Sequence, residues 1–194
     1  MKIVEYPHPA LLAATTPVRQ VDKALRLQVG KMFELMYEAG GIGLAANQVA
    51  LPYRFVIMNI DTEKHAADHE EIFINPTIVA QKGSIEEEEG CLSFPGLYAK
   101  VRRAKEVTIE AYNLQGETLR INATGLAARA WQHEIDHLDG KVFVDRFSTI
   151  SKLAHRSDIK EFERRFRTAQ KEGRIPADAD IEKTLSNLRQ IAES

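Results

Sequence analysis

The sequence predicts an α+β fold: mostly antiparallel sheets packed around a central helix, followed by a helical extension. Three observations carry this reading. Strand-like runs at 107–112 and 117–121 flank Asn113-Leu-Gln-Gly116, a hairpin signal, and further short runs stand at 54–60 and 72–79. Leu126, Ala130, His133 and His137 fall on one helical stripe. The chain then closes on a basic amphipathic segment.

Taken in order, Asp22 reads as an N-cap before Leu25, Val29, Met32 and Met36, which recur at helical spacing until Gly40-Gly41 stops them. Arg54 to Ile60 is an apolar run of buried-strand length. Residues 61–71 are polar and read as loop. They hold His65 and His69, four apart, but no glutamate follows His65 and no apolar face accompanies the pair, so a second metal site is rejected there. Ile72 to Val79 reads as a strand, and Pro76 within it suggests a sheet edge, because proline has no N–H for a ladder. The central helix starts near Thr124 and ends at Gly140. Residues 151–174 carry eight Lys/Arg against four Asp/Glu, with Ile159, Phe162 and Phe166 as an apolar stripe. Gly173 and Pro176 break that helix. Ile181, Leu185, Leu188 and Ile191 suggest a last short helix, suited to a partner or to self-association.

Composition bounds the function. The 194 residues fit one catalytic unit over 1–150 with an extension over 151–194. A formal net charge of −2 gives no reason to expect DNA or other nucleic acid as substrate. No run approaches the ~20 apolar residues of a membrane span. The N-terminus lacks an apolar signal core, and a single cysteine suits a reducing compartment, so a cytoplasmic protein of bacterial type is expected.

The chemistry is concentrated in Gln132-His-Glu-Ile-Asp-His-Leu-Asp-Gly140. His133 and His137 are four apart, so one helix face presents both imidazoles to one metal ion, and Glu134 can reach a water there. Such a site needs a third protein ligand. The lone cysteine, Cys91, follows Glu86 to Glu89 and Gly90, a poor setting for a core residue and a good one for a thiolate ligand. The segment Gly41-Ile-Gly-Leu-Ala-Ala-Asn-Gln48 adds small residues that admit close backbone approach and a side-chain amide that can meet an oxyanion.

These three segments, at 41–48, 89–93 and 132–140, resemble the peptide deformylases in motif and in order. The resemblance covers roughly residues 1–150. It implies hydrolysis of the formyl group from the N-terminal methionine of new polypeptides, releasing formate. It implies Cys91, His133 and His137 as metal ligands and Glu134 as the proton shuttle. The oxyanion donors it implies are the Gln48 side chain and the Leu92 backbone N–H. It also implies ferrous iron as the metal, with zinc as a weaker substitute; the donor set itself, a thiolate and two imidazoles, suits zinc, iron, nickel or cobalt. Main-chain groups near Ile42, Gly43 and Gly90 would bind the peptide as an added strand, and the methionine side chain would enter an apolar pocket near Leu126 and Ala130. Arg129, one turn before His133, is expected at the pocket rim or snorkelling outward. Asp136 and Gln132 are candidates to hold the ligand histidines. The basic 151–174 helix suggests a transient ribosome contact.

Three alternatives remain open at this level. A metallopeptidase would draw its third ligand from downstream, at Glu161 or Glu163. A cysteine hydrolase would use Cys91 as nucleophile and ignore chelators. An inactive metal-binding, ribosome-associated protein would have no need of Glu134.

Overall fold

The computed structural model describes residues 1–60 and 70–193. His65 and His69 lie outside the described residues, as does the side chain of Ile191. A short helix α1 (Pro9–Leu12) precedes α2 (Lys23–Glu38). Asp22 caps α2 by accepting a bond from the Leu25 amide at 2.7 Å. Strands β1 (Gly43–Ala45) and β2 (Phe55–Met58) follow, joined through a 3-10 turn at Ala46–Val49. Then come β3 (Glu71–Lys82), β4 (Ile85–Gly90), β5 (Tyr98–Arg103), β6 (Glu106–Tyr112) and β7 (Thr118–Thr124). Helix α3 (Gly125–Leu138) carries the histidines, and α4 (Thr149–Ala154), α5 (Arg156–Lys171) and α6 (Asp178–Glu193) complete the chain.

Five strands form an antiparallel sheet in the order β1-β2-β3-β6-β7, and β4 pairs with β5 in a separate two-stranded sheet. The β6–β7 hairpin forms as its turn residues predict. Asn113 Oδ1 accepts from the amides of Gln115 and Glu117, and Gly116 takes a positive φ of 81°.

Strand β3 is central in the strand order, not an edge strand as Pro76 suggested, but β2 pairs only with Glu71–Ile74, so the segment from Pro76 onward is laddered to β6 alone. Its register shifts between Ile74 and Thr77, so the proline falls where the ladder is already interrupted. The Pro76 carbonyl is used instead by the Arg54 guanidinium, at 3.0 and 3.2 Å.

Alternation along the strands explains why β2 reads as unbroken apolar sequence. Phe55 and Ile57 face α2, packing with Leu25, Val29, Met32 and Met36. Val56 and Met58 face α3, packing with Trp131, Ile135 and Leu138. With both faces covered, each residue is buried, and each large side chain is worth about 1.5–3 kcal/mol. Helix α3 is therefore clamped: its apolar side lies on the sheet, and its polar side turns toward β4, β5 and a cleft.

The tail differs from its sequence reading in two ways. Residues 149–171 are two helices, with the chain leaving helical geometry at His155. The last helix starts earlier, at Asp178, and its apolar side is already covered: Ile181 and Leu185 pack with Ala10 and Phe166. Tyr53 also donates to the Leu188 carbonyl at 3.2 Å. Of the stripe expected to meet a partner, Ile181 and Leu185 are thus spent on this chain's own body, and Leu188 is half-buried.

Candidate metal centre

Helix α3 holds His133 and His137 one turn apart, and Cys91 follows the last residue of β4. Cys91 Sγ stands 3.3 Å from His137 Nε2, which stands 3.2 Å from His133 Nε2. The three ligand atoms lie within 4.8 Å of one another, the candidate metal-ligand group found among the described residues. The donor set fits a divalent metal on its chemistry: one thiolate and two imidazoles. Burial, then the neighbouring His133, hold His137 well below its ordinary pKa, so its imidazole stays neutral, as a ligand must be.

The partner that orients His133 is Glu89, which meets His133 Nδ1 at 2.7 Å. An Nδ1–H given to Glu89 would leave Nε2, on the side of His137, as the ligand atom. Burial lowers the pKa of this ring, but Cys91, the bond to Glu89 and Glu134 outweigh it and hold the pKa well above its ordinary value. Burial alone would raise the Glu89 carboxyl, but hydrogen bonds from His133 and Arg103 outweigh it and hold the group well below the usual carboxylate range. Arg103 grips both Glu89 oxygens, at 2.7 and 3.1 Å, and also meets Asp136. Gln132 and Asp136 are not the histidine partners expected. Gln132 bonds the main chain of Ala104 through both ends of its amide, tying α3 to the strand connection. Asp136 holds Arg103 and Arg146.

Arg129 lines the cleft but is buried rather than at its rim: it is 6% exposed, with Nη1 donating to Glu89 at 2.8 Å and to the Val101 carbonyl at 3.1 Å and Nε to Glu87 at 3.3 Å. A buried carboxylate opposite it removes the need to reach water.

Glu134 lies beside the ligands with its Oε2 buried and unpartnered. Burial is the main reason its carboxyl is pushed up to about 7, a range suited to proton exchange near neutrality. Gly43 leaves it room: a Cβ there would fall 2.8 Å from Glu134 Oε1. Gln48, on the 3-10 turn, is 1% exposed and fixed at both ends. Its Oε1 accepts from the Ala45 amide at 2.9 Å, while Nε2 donates to Ser93 Oγ at 3.3 Å and stands 3.9 Å from Cys91 Sγ.

A cleft of about 590 Å³ opens over these groups. It is lined by Ile42, Gly43, Gln48, Gly90, Cys91, Leu92, Leu126, Ala130, His133 and Glu134. His137 lies deeper, 1% exposed. Leu126 stands at the mouth, 54% exposed rather than on an inward stripe. Among the described residues, β1 is an edge of its sheet and β4 pairs only with β5, so two strand edges flank the cleft. Glu161 and Glu163 are far from being ligands: Glu161 pairs with Arg164, and Glu163 accepts from Tyr6. Glu89 and Arg103 are the residues that sequence reasoning missed. Glu89 stood inside the cysteine segment, and Arg103 occupies an inward position in β5, where alternate residues Ala99, Val101 and Arg103 are buried.

Comparison with known proteins agrees with this geometry. The profile of the family described as polypeptide deformylase matches residues 1–153. A peptide deformylase of Chromobacterium violaceum is 44% identical over 164 residues, which is 84% of this chain and 96% of that protein. The crystal structure of peptide deformylase from Plasmodium falciparum superposes with a TM-score of 0.83 at 40% identity, covering 86% of this chain and 98% of the other. Arabidopsis thaliana peptide deformylase 1B, solved with an inhibitor, gives a TM-score of 0.82 at 35% identity over 91% of this chain and 96% of its own. With Cys91 and His133 lining the cleft, His137 beneath them and the buried Glu134 beside them, the chain belongs to the polypeptide deformylase family, metal-dependent hydrolases that remove the formyl group from the N-terminal methionine of new polypeptides.

Proposed function

We propose that this chain carries out that hydrolysis with Cys91, His133 and His137 holding one ferrous ion and Glu134 moving the proton. The observation that supports it most strongly is the convergence of the three ligand atoms beside a buried carboxylate with a free oxygen. A divalent metal held there supplies Lewis-acid polarisation and activates water near neutral pH. Glu134 takes the proton from the attacking water and returns it to the departing amine. Gln48 Nε2, its direction fixed by Ala45 and Ser93, donates to the oxyanion together with the Leu92 backbone N–H. The main chain of Ile42, Gly43 and Gly90 pairs with the peptide between the β1 and β4 edges, and Leu126 and Ala130 receive the methionine side chain.

The test is formate release from a formyl-Met tripeptide by protein purified without oxygen, with and without a chelator. Release that stops on chelation supports the reading. Release indifferent to chelator but blocked by alkylation would make Cys91 the nucleophile. For the metal itself, aeration is expected to remove most activity, because ferrous iron and thiolate both oxidise. Equal activity and metal content with and without air would exclude iron. Gln48→Ala is expected to lower kcat by about 10²–10³-fold with metal retained.

The outward side of α5 carries Arg156, Lys160, Arg164, Arg167 and Lys171, all exposed, while Phe162 and Phe166 are buried beneath. This supports a transient contact with ribosomal RNA in the cytoplasm, where formylated chains emerge. Co-sedimentation with ribosomes that weakens steeply as salt rises is the expected result. Pelleting unaffected by charge reversal at Arg156, Lys160 and Lys171 would remove α5 from the contact.

A further inference from the structure

Arg146 is not part of the cleft, yet it ends a continuous chain of ion pairs that begins at a metal-ligand candidate. From the inside outward, His133 Nδ1 meets Glu89 at 2.7 Å, and Arg103 holds Glu89 at 2.7 and 3.1 Å. Arg103 Nη1 also donates to Asp136, and Arg146 grips the two oxygens of Asp136, from Nε at 2.9 Å and from Nη2. Glu89, Arg103 and Asp136 have side chains 5%, 3% and 8% exposed; that of Arg146 is 43% exposed. Arg146 is therefore where this arm of the network reaches solvent; the other arm runs from Glu89 through Arg129 to Glu87, whose side chain is 51% exposed.

Two buried carboxylates share Arg103. Each needs strong donors, because an unpaired charge in this setting is costly. Glu89 has a second guanidinium in Arg129, at 2.8 Å, and Asp136 has its second in Arg146. If Arg146 is removed, Asp136 keeps only Arg103, and the balance that centres Arg103 between the two acids is lost. Arg103 then shifts toward Asp136, and the bond by which Glu89 fixes the His133 ring loosens. Bidentate geometry matters here as much as charge, because the guanidinium fork sets the angle of the Asp136 carboxylate.

We propose that Arg146 is a positioning residue for the metal centre, setting the orientation of His133 through Asp136, Arg103 and Glu89. This rests on the reading of Cys91, His133 and His137 as metal ligands, and it concerns metal retention and kcat, not peptide binding.

The experiment uses the full chain loaded with cobalt(II), which reports thiolate and imidazole ligation by its absorption. Wild type, Arg146→Lys, Arg146→Met, Asp136→Asn and the double variant Asp136→Asn/Arg146→Met are each challenged with a chelator, and thermal midpoints are recorded alongside. The Arg146→Met variant is expected to lose cobalt about 10–100-fold faster, with an altered thiolate–cobalt band. Arg146→Lys should lie between it and wild type, since it keeps the charge and loses the fork. In turnover, kcat should fall while KM stays within about twofold. The double variant should be no worse than the poorer of the single variants Asp136→Asn and Arg146→Met, because both act through one chain. Cobalt spectra and release rates of Arg146→Met within twofold of wild type, whatever its thermal midpoint, would overturn the inference. A wild type that takes up no cobalt would overturn the metal-ligand reading and this inference with it.

Discussion

Replacing Glu134 by Gln is expected to lower kcat by about 10²–10⁴-fold while leaving metal content and KM nearly unchanged. The size follows from what the side chain does. Glu134 is not among the groups that hold the ligand side chains; its Oε2 is buried without a partner, and its other oxygen lies against Gly43. It is therefore kept for a transferable proton, and glutamine keeps the shape while removing the base. The structure tolerates the change, because an amide costs less than a carboxylate in a buried setting. Single-turnover formate release and metal analysis on the same sample check it. Wild-type kcat in the variant would move proton transfer to another group. Loss of metal in the variant would make Glu134 a ligand-shell residue rather than a base.

Much of this site could be read from the chain because its chemistry is local. His133, Glu134 and His137 lie within a helical turn or so, and helical period alone puts both imidazoles on one face. Cys91 declared itself by standing in acidic, glycine-containing sequence where a core cysteine would not. The Asn113–Gly116 turn and the Asp22 cap are likewise set by a few adjacent residues, and both formed as expected.

What escaped the sequence depends on pairing across distance. The partner of His133 comes from β4, 44 residues earlier, and is fixed by the β4–β5 hairpin, not by anything on α3. Gln132 and Asp136 were closer in sequence but point to other tasks. Arg129 looked solvated because one helix shows only half of an ion pair; Glu89 supplied the other half. Pro76 suggested an edge strand by a local rule about missing donors; β3 is central, but at the proline the β2 ladder has already ended and the β6 register shifts, which satisfies that rule. The docking of α6 on α1 and Phe166 is tertiary packing between the two ends of the chain, and an amphipathic stripe cannot say which surface will cover it.

Arg103→Met is expected to destabilise the fold by about 3–5 kcal/mol, the range for removing one partner of a buried ion pair. Here the loss falls on two acids together. Glu89 would keep Arg129 and His133; Asp136 would keep Arg146 alone. At about 2–4 °C per kcal/mol for a chain of this size, the thermal midpoint should fall by roughly 10 °C. The pH dependence identifies the cause. Burial raises the carboxyls of Glu89 and Asp136, but their partners, Arg103 among them, outweigh it and hold both below their ordinary values. A depressed carboxylate contributes stability that is present above its unfolded pKa and is lost as pH falls through the folded value. In Arg103→Met that depression weakens, so the variant gives up less stability on acidification than wild type does. The gap between the two should therefore be widest near neutral pH and should narrow below about pH 4, where unfolded carboxylates begin to bind protons. Denaturant unfolding of the metal-free proteins at several pH values measures it. A gap independent of pH would assign the destabilisation to lost packing of the arginine stem, and the ion-pair network would then contribute to orientation rather than to stability.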